Sequence, residues 1–203
     1  MQYQAVVFDM DGVIFDTERL VIEFWKEVAK KHNIPNVEHT CIQCLGTNRV
    51  RTREIFLENY GADFPFDPYR AEVTELFNTH YKGVPLPTKP GVRELLSYLQ
   101  EQDIKVGLAS STAQHLVRDE IGTAGLLPYF QTLVCGDMVE HSKPAPDIFL
   151  KACEILNADL TKSIAIEDSF NGIRSAHCAG MTPIMVPDQV QPTDEIRALA
   201  FHV

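Results

Sequence analysis

The sequence predicts an α/β fold: a Rossmann-like parallel sheet core flanked by helices, with an inserted all-helical cap domain. Three observations predict it. Short, continuous apolar runs alternate with helical stripes. A stretch of about seventy residues after the first run carries helical stripes only. Carboxylates and hydroxyls stand just beyond the runs, where an open parallel sheet binds its ligands.

Gln4-Ala5-Val6-Val7-Phe8 is the first run and ends abruptly at Asp9. Ile104–Ala109, Thr132–Cys135, Ser163–Ile166 and Thr182–Val186 follow. Each is short and rich in β-branched residues, as strands covered on both faces are. Val92, Leu95, Leu96 and Leu99, and then Ile148, Phe149, Ala152, Cys153 and Leu156, recur at helical spacing between them. Leu20, Val21, Phe24, Trp25, Val28 and Ala29 form a helical stripe in the long interval, and Val73, Leu76, Phe77 and Tyr81 another. Trp25 fits its stripe and is expected inside the cap's own core. Pro85, Pro87 and Pro90 punctuate the return. The core is therefore expected over 1–16 and 87–203, and the cap over 17–86. Ile196, Leu199 and Ala200 read as a last helix, and Phe201-His202-Val203 as the start of a sixth strand.

The chain has 203 residues, 45% of them hydrophobic, with 28 acidic and 18 basic side chains and a net charge of −10. That composition excludes a disordered chain, and its sign disfavours nucleic acid as a partner. Five scattered cysteines make no disulfide framework. Cys41 and Cys44 form a CxxC pair with no second pair or nearby histidines, so it reads as incidental. No apolar stretch is long enough to span a bilayer, and the N-terminus does not read as a signal peptide. A soluble, cytoplasmic monomer with no membrane partner is expected.

Beyond the first run stand Asp9-Met10-Asp11-Gly12, and beyond the second Ser110-Ser111-Thr112. Ser142-Lys143-Pro144 lies after the third, and Glu167-Asp168-Ser169 after the fourth. Four carboxylates gathered on one edge repel unless a cation neutralises them. A hard, oxygen-ligated divalent ion such as Mg²⁺ meets that need. Asp9 is then placed to attack phosphorus, and Asp11 to protonate a leaving oxygen and later deprotonate water. Ser110 can donate to a phosphoryl oxygen, and Lys143 can offset developing charge. Ser111, beside Ser110, is a further candidate for substrate contact. Gly12 allows the sharp turn that aims nearby amides at a phosphate.

Asp9-Met10-Asp11-Gly12-Val13-Ile14-Phe15-Asp16-Thr17-Glu18, Ser110 in Leu-Ala-Ser-Ser-Thr, Ser142-Lys143-Pro144-Ala145-Pro146-Asp147 and Ile166-Glu167-Asp168-Ser169-Phe170-Asn171-Gly172-Ile173 together resemble the haloacid dehalogenase-like superfamily. The similarity is greatest to the branch with a helical cap, which holds β-phosphoglucomutase and many sugar-phosphate phosphatases. The resemblance implies Asp9 as nucleophile and Asp11 as general acid/base. It implies Mg²⁺ held by Asp9, the Asp11 backbone carbonyl and Asp168, with Glu167 close by, and a phosphoryl group held by Ser110 and Lys143. Asp11 separates this chain from the metal-free dehalogenases of the superfamily. The absence of any lysine between Lys31 and Lys82 separates it from the phosphonatases. Val21 stands where the mutase carries a cap histidine. The expected activity is therefore Mg-dependent hydrolysis of a small phosphomonoester, a sugar or polyol phosphate, through an aspartyl-phosphate. The alternatives are a phosphosugar mutase of the β-phosphoglucomutase type and a non-catalytic phosphate-binding protein.

Substrate choice is expected to reside in the cap, where Gly46-Thr47-Asn48-Arg49 resembles a segment whose arginine contacts substrate. Arg49 is thus a candidate ligand. Arg53 shares its helix face, while Arg51 is expected to point elsewhere into solvent. Glu18 is placed near the hinge, facing the site entrance. Residues 17–86 hold 10 acids and 9 bases, a net of −1, against 18 acids and 9 bases in the core segments, a net of −9. Four of those core acids are the ones at the strand ends. Net charge therefore does not describe the field that a small phosphate ester meets.

Overall fold

The computed structural model describes residues 3–203; Met1 and Gln2 of the expected core segment lie outside the described residues. Strand β1 spans Ala5–Phe8. Helices α1 (Thr17–His32), α2 (Val37–Gln43), α3 (Arg49–Tyr60) and α4 (Phe66–Tyr81) come next, with no strand between them. The chain then runs through α5 (Val92–Glu101), β2 (Lys105–Ser110), α6 (Gln114–Thr123), β3 (Thr132–Cys135) and α7 (Asp147–Leu156). It finishes with β4 (Ser163–Glu167), α8 (Phe170–Cys178), β5 (Thr182–Met185) and α9 (Asp194–Leu199).

The five strands form one sheet in the order β3-β2-β1-β4-β5. Every pairing is parallel, with Phe8 registered against Leu108 on one side and Ile166 on the other. β1 divides its side chains between the faces with the period of two a strand imposes. Val6 and Phe8 join Leu96 and Leu99 of α5 and Val117 and Ile121 of α6 in one buried cluster. Ala5 and Val7 join Ile148, Phe149, Ala152 and Leu156 of α7 and Ala176 of α8 in the other. Burial on both faces explains why these strands read as unbroken apolar runs. β5 is the exception, alternating half-buried and buried residues. It carries Pro183 in its interior, which an edge strand tolerates.

The inserted helices have a core of their own. Leu20, Phe24, Trp25 and Val28 of α1 meet Cys41, Phe56, Phe66 and Val73. Trp25 lies inside it, its ring centroid 4.5 Å from that of Phe56 and 6.0 Å from that of Phe66. Two short connections join this cap to the sheet and run against each other. Asp16 N–H donates to Pro87 O at 2.9 Å, and Lys89 N–H to Ile14 O at 2.8 Å.

Two expectations need adjustment. Leu95 is 37% exposed, so Val92, Leu96 and Leu99 carry the buried face of α5. At the C-terminus, His202 makes one parallel bridge to Ile184 and Phe201 N–H donates to Pro183 O at 2.8 Å. This contact covers the β5 edge without extending into a sixth strand.

Candidate active site

Asp9 follows β1 directly, and its N–H donates to Ile166 O at 2.9 Å, so its place is fixed by the sheet itself. The chain then folds into a tight loop closed by Phe15 N–H to Met10 O at 3.0 Å and Gly12 N–H to Phe15 O at 2.8 Å. Gly12 has φ +82°, and a Cβ there would lie 2.2 Å from Asp168 Oδ2. Glycine therefore serves both the backbone turn and the approach of Asp168. Asp11 accepts at both carboxylate oxygens: from Thr17 Oγ1 at 2.6 Å and from Thr112 Oγ1 at 3.0 Å.

Lys143 is buried without exposure of its side chain. Its ammonium has three acceptors for its three protons: Asp9 Oδ1 at 2.5 Å, Glu167 Oε1 at 2.6 Å and Ala109 O at 3.0 Å. Burial opposes its charge, but the two carboxylates outweigh burial and hold its pKa above the usual lysine value. Glu167 Oε2 in turn accepts from the Asp168 N–H (3.2 Å), the Ser169 N–H (3.2 Å) and the Ser169 hydroxyl (3.0 Å). That carboxylate nests against the start of α8, where exposed amides and the helix dipole favour an anion. Gly172 makes room for it, since a Cβ there would fall 1.8 Å from Glu167 Cδ.

The acids crowd one another. Burial, then the charges of Glu167 and Asp11, push the Asp9 carboxyl up to about 8 against the pull of Lys143. Burial and then Glu167 raise Asp168 well above its ordinary value. Glu18, half-buried in the first turn of α1, is raised in the same way by burial and then by Asp11 and Asp9. Asp9, Glu167 and Asp168 each offer an oxygen within 4.8 Å of the others. Asp168 Oδ2 is buried with no hydrogen-bond partner among the described residues. An all-oxygen donor set with an orphaned carboxylate oxygen fits a hard divalent cation such as Mg²⁺.

The structure thus brings Asp9, Asp11, Lys143, Glu167 and Asp168 together. Ser110 ends β2 fully buried, its Oγ accepting from Thr112 N–H at 3.1 Å. Ser111 turns to the cap and donates to Gly46 O at 3.1 Å. Arg49 is not part of the buried group. Its side chain is 76% exposed and bonds Asp67 at 3.1 Å, and Arg53 reaches the same carboxylate at 3.3 Å. The shared face of Arg49 and Arg53 is real, but it looks towards α4. Arg51 points away into solvent as expected. Its side chain is 43% exposed and bonds Glu54 at 2.9 Å and Glu58 at 2.8 Å along its own helix. It stands at the rim of a cleft of about 500 Å³ between cap and core that Thr47, Asn48, His141 and Asn171 also line. The i, i+4 rule groups residues on a face without saying which neighbour the face meets. Thr17 and Thr112, which orient Asp11, sit within the sequence motifs but carry little signal there. A hydroxyl six residues after Asp11, and another two residues after Ser110, are all that the sequence offers. The Cys41 and Cys44 thiols are both raised by burial, Cys44 to about 12, so neither is a thiolate at neutral pH.

With this geometry in place, comparison with known proteins settles the family. The profile of the haloacid dehalogenase-like hydrolases matches residues 6–186. The chain belongs to that family. It is 33% identical over 181 residues to a phosphorylated carbohydrates phosphatase of Thermotoga maritima, covering 89% of this chain and 83% of that one. It is 34% identical over 199 residues to the β-phosphoglucomutase of Bacillus subtilis, covering 93% and 85%. Among solved structures, CbbY of Rhodobacter sphaeroides in complex with phosphate superposes with a TM-score of 0.79 at 25% identity, covering 98% of this chain and 92% of that one. The chain is a haloacid dehalogenase-like phosphatase of the β-phosphoglucomutase-like branch. Among the described residues, no helix is long and apolar enough to cross a membrane.

Proposed function

We propose that this chain is a Mg²⁺-dependent phosphohydrolase of small sugar or polyol monophosphates, working through an aspartyl-phosphate. The observation that carries the reading is the tripod of Lys143, whose ammonium binds Asp9 at 2.5 Å while Asp11 is held by two hydroxyls. In this reading Asp9 attacks phosphorus and the leaving alkoxide takes a proton from Asp11. Asp11, now ionised, accepts a proton from water as its oxygen attacks the acyl-phosphate and frees Asp9. Lys143 offsets charge on the transferring group, and Ser110 donates to one of its oxygens.

Asp9, the Asp11 backbone carbonyl and Asp168 would hold Mg²⁺, with Glu167 close by. When bound, that ion neutralises the crowded acids and polarises a phosphoryl oxygen. The cap, residues 17–86, closes over the ester and excludes water. The names of relatives such as the fructose-1-phosphate phosphatase of Escherichia coli support the substrate class.

Asp9→Asn tests the reading. It should abolish turnover of p-nitrophenyl phosphate while leaving the circular dichroism spectrum unchanged; undiminished turnover would refute the nucleophile. A mutase is the second reading, favoured by the 34% identity to β-phosphoglucomutase. Val21, half-buried on α1, offers no imidazole for that chemistry. Conversion of β-glucose 1-phosphate to glucose 6-phosphate, in place of phosphate release, would establish it.

A further inference from the structure

The turn between α2 and α3 is stiffened by its own bonds. Leu45 N–H donates to Ile42 O at 3.3 Å and Thr47 N–H to Cys44 O at 3.0 Å. The Thr47 hydroxyl also donates to Cys44 O, at 2.7 Å, and lies 3.0 Å from the Thr52 hydroxyl. Two carbonyls at the tip go elsewhere. Leu45 O accepts from Asn171 Nδ2 at 3.2 Å, and Gly46 O from Ser111 Oγ at 3.1 Å. Both donors belong to the core. Gly46 itself has φ +71°, and a Cβ on it would stand 2.3 Å from Ser169 Oγ and 2.9 Å from Ser169 Cβ.

We propose that Ser111, Ser169 and Asn171 form a docking seat for the Leu45–Gly46 turn and hold the cap shut. They are positioning residues for the reaction, acting through the cap, and Ser111 serves in this role rather than as a substrate ligand. Closing the cap removes the tip carbonyls from water, and a buried carbonyl left unpaired costs free energy. Asn171 and Ser111 supply the replacement donors, so the shut state is matched to this one turn. Glycine at position 46 provides the closeness that lets both bonds form.

The seat also neighbours the residues proposed to hold the phosphoryl group. Ser111 follows Ser110, and Ser169 follows Asp168 while its hydroxyl donates to Glu167, which in turn bonds Lys143. A cap docked on these residues bears on the same loops that hold Lys143 and Asp168.

The test uses the full chain in five forms: wild type, S111A/N171A, Asn171→Ala, Gly46→Ala and Gly125→Ala. Gly125 has φ +68°, and a Cβ there would meet nothing within 4 Å, so its substitution brings the same backbone strain without a collision. Amide hydrogen exchange of residues 44–52, measured without ligand, should quicken at least tenfold in the double variant and in Gly46→Ala. It should stay within twofold of wild type in Gly125→Ala, and exchange over the strands should not change in any variant. Asn171→Ala should fall between wild type and the double variant. The Michaelis constant for p-nitrophenyl phosphate should rise at least fivefold in the double variant. Exchange at 44–52 that stays at the wild-type rate in both the double variant and Gly46→Ala would overturn the seat. The kinetic consequence rests on the phosphohydrolase reading, but exchange needs no turnover. An inactive wild type would therefore refute that reading while the exchange rates still decide the seat.

Discussion

Lys143 and Glu167 meet at 2.6 Å, and neither side chain is exposed at all. Two charges taken so far from water must be fully paired, and the Asp9, Ala109, Ser169 and Asp168 contacts complete the pairing. Removing one partner of such a pair costs about 3–5 kcal/mol, because the other charge is left buried and uncompensated. Lys143→Met and Glu167→Gln should each lower the unfolding free energy, read from urea titration, by that much. The double variant should lose less than the sum of the two, since it removes both members of this pair and leaves only Asp9 without its cation. Strict additivity in the cycle would contradict this coupling.

Proton and metal should compete at Asp9. Its carboxyl is pushed up to about 8 by burial and by Glu167 and Asp11. The folded pKa lies above the unfolded one, so the metal-free fold holds a proton that the unfolded chain has released. Its stability therefore falls as pH rises from the ordinary carboxylate range to about 8. Asp168 and Glu18, also raised, act in the same direction. Mg²⁺ needs the ionised oxygens, so its stabilisation should grow over the same window. Differential scanning fluorimetry should show Mg²⁺ raising Tm by about 5 °C or more near pH 8, and by much less near pH 5. Equal increments at the two pH values would contradict it.

What the sequence displays and what it hides follow from range. The apolar runs around Val6, Val106 and Ile164 reveal the strands because a sheet covered on both faces leaves no polar position to confuse the pattern. Asp9 and Asp168 are legible because they follow strand ends directly, Ser110 because it closes β2 and Lys143 because it stands in the segment after β3, and parallel register brings those ends together. Side-chain partners are not legible in that way. Asp67 captures Arg49 from another helix, and Ser111 turns to a carbonyl 65 residues away. Arg51 stays solvent-facing as its spacing predicts, with its partners Glu54 and Glu58 three and seven residues further along α3.

The ion pair of Lys89 with Asp188 is another long-range contact of this kind, joining residues 99 apart at 2.5 Å. Lys89 also reaches Asp16 at 3.1 Å, so one ammonium ties both hinge segments to the loop after β5. Asp188 is 9% exposed, and its Oδ2 has no partner among the described residues. Lys89→Met would leave that carboxylate facing Glu18 and Asp168 with no cation. A loss of about 2–4 kcal/mol is expected, against less than about 0.5 kcal/mol for Arg53→Ala on the surface. Similar small losses for both, read from urea unfolding, would show that the hinge ammonium is dispensable.

Trp25 is the single tryptophan of the chain, which makes its fluorescence a private reporter of the cap. Only 2% of it is exposed, and its ring packs against those of Phe56 and Phe66. The cluster around it touches the sheet's cluster through Phe77 and Tyr81. Those two residues give the cap a mechanical link to the core while most of its apolar contacts stay internal. Truncation of the ring should therefore weaken the cap first. Trp25→Ala is expected to cost about 3–5 kcal/mol through the cavity it leaves, and Trp25→Phe about 1–2 kcal/mol. In Trp25→Ala the loss should be local, with exchange of amides in α1 to α4 rising well before those of β1, β2 and β4. If the strands and the cap helices lose protection together, the cap is not a separate unit of stability, and the Phe77–Tyr81 link carries more of the coupling than its two residues suggest.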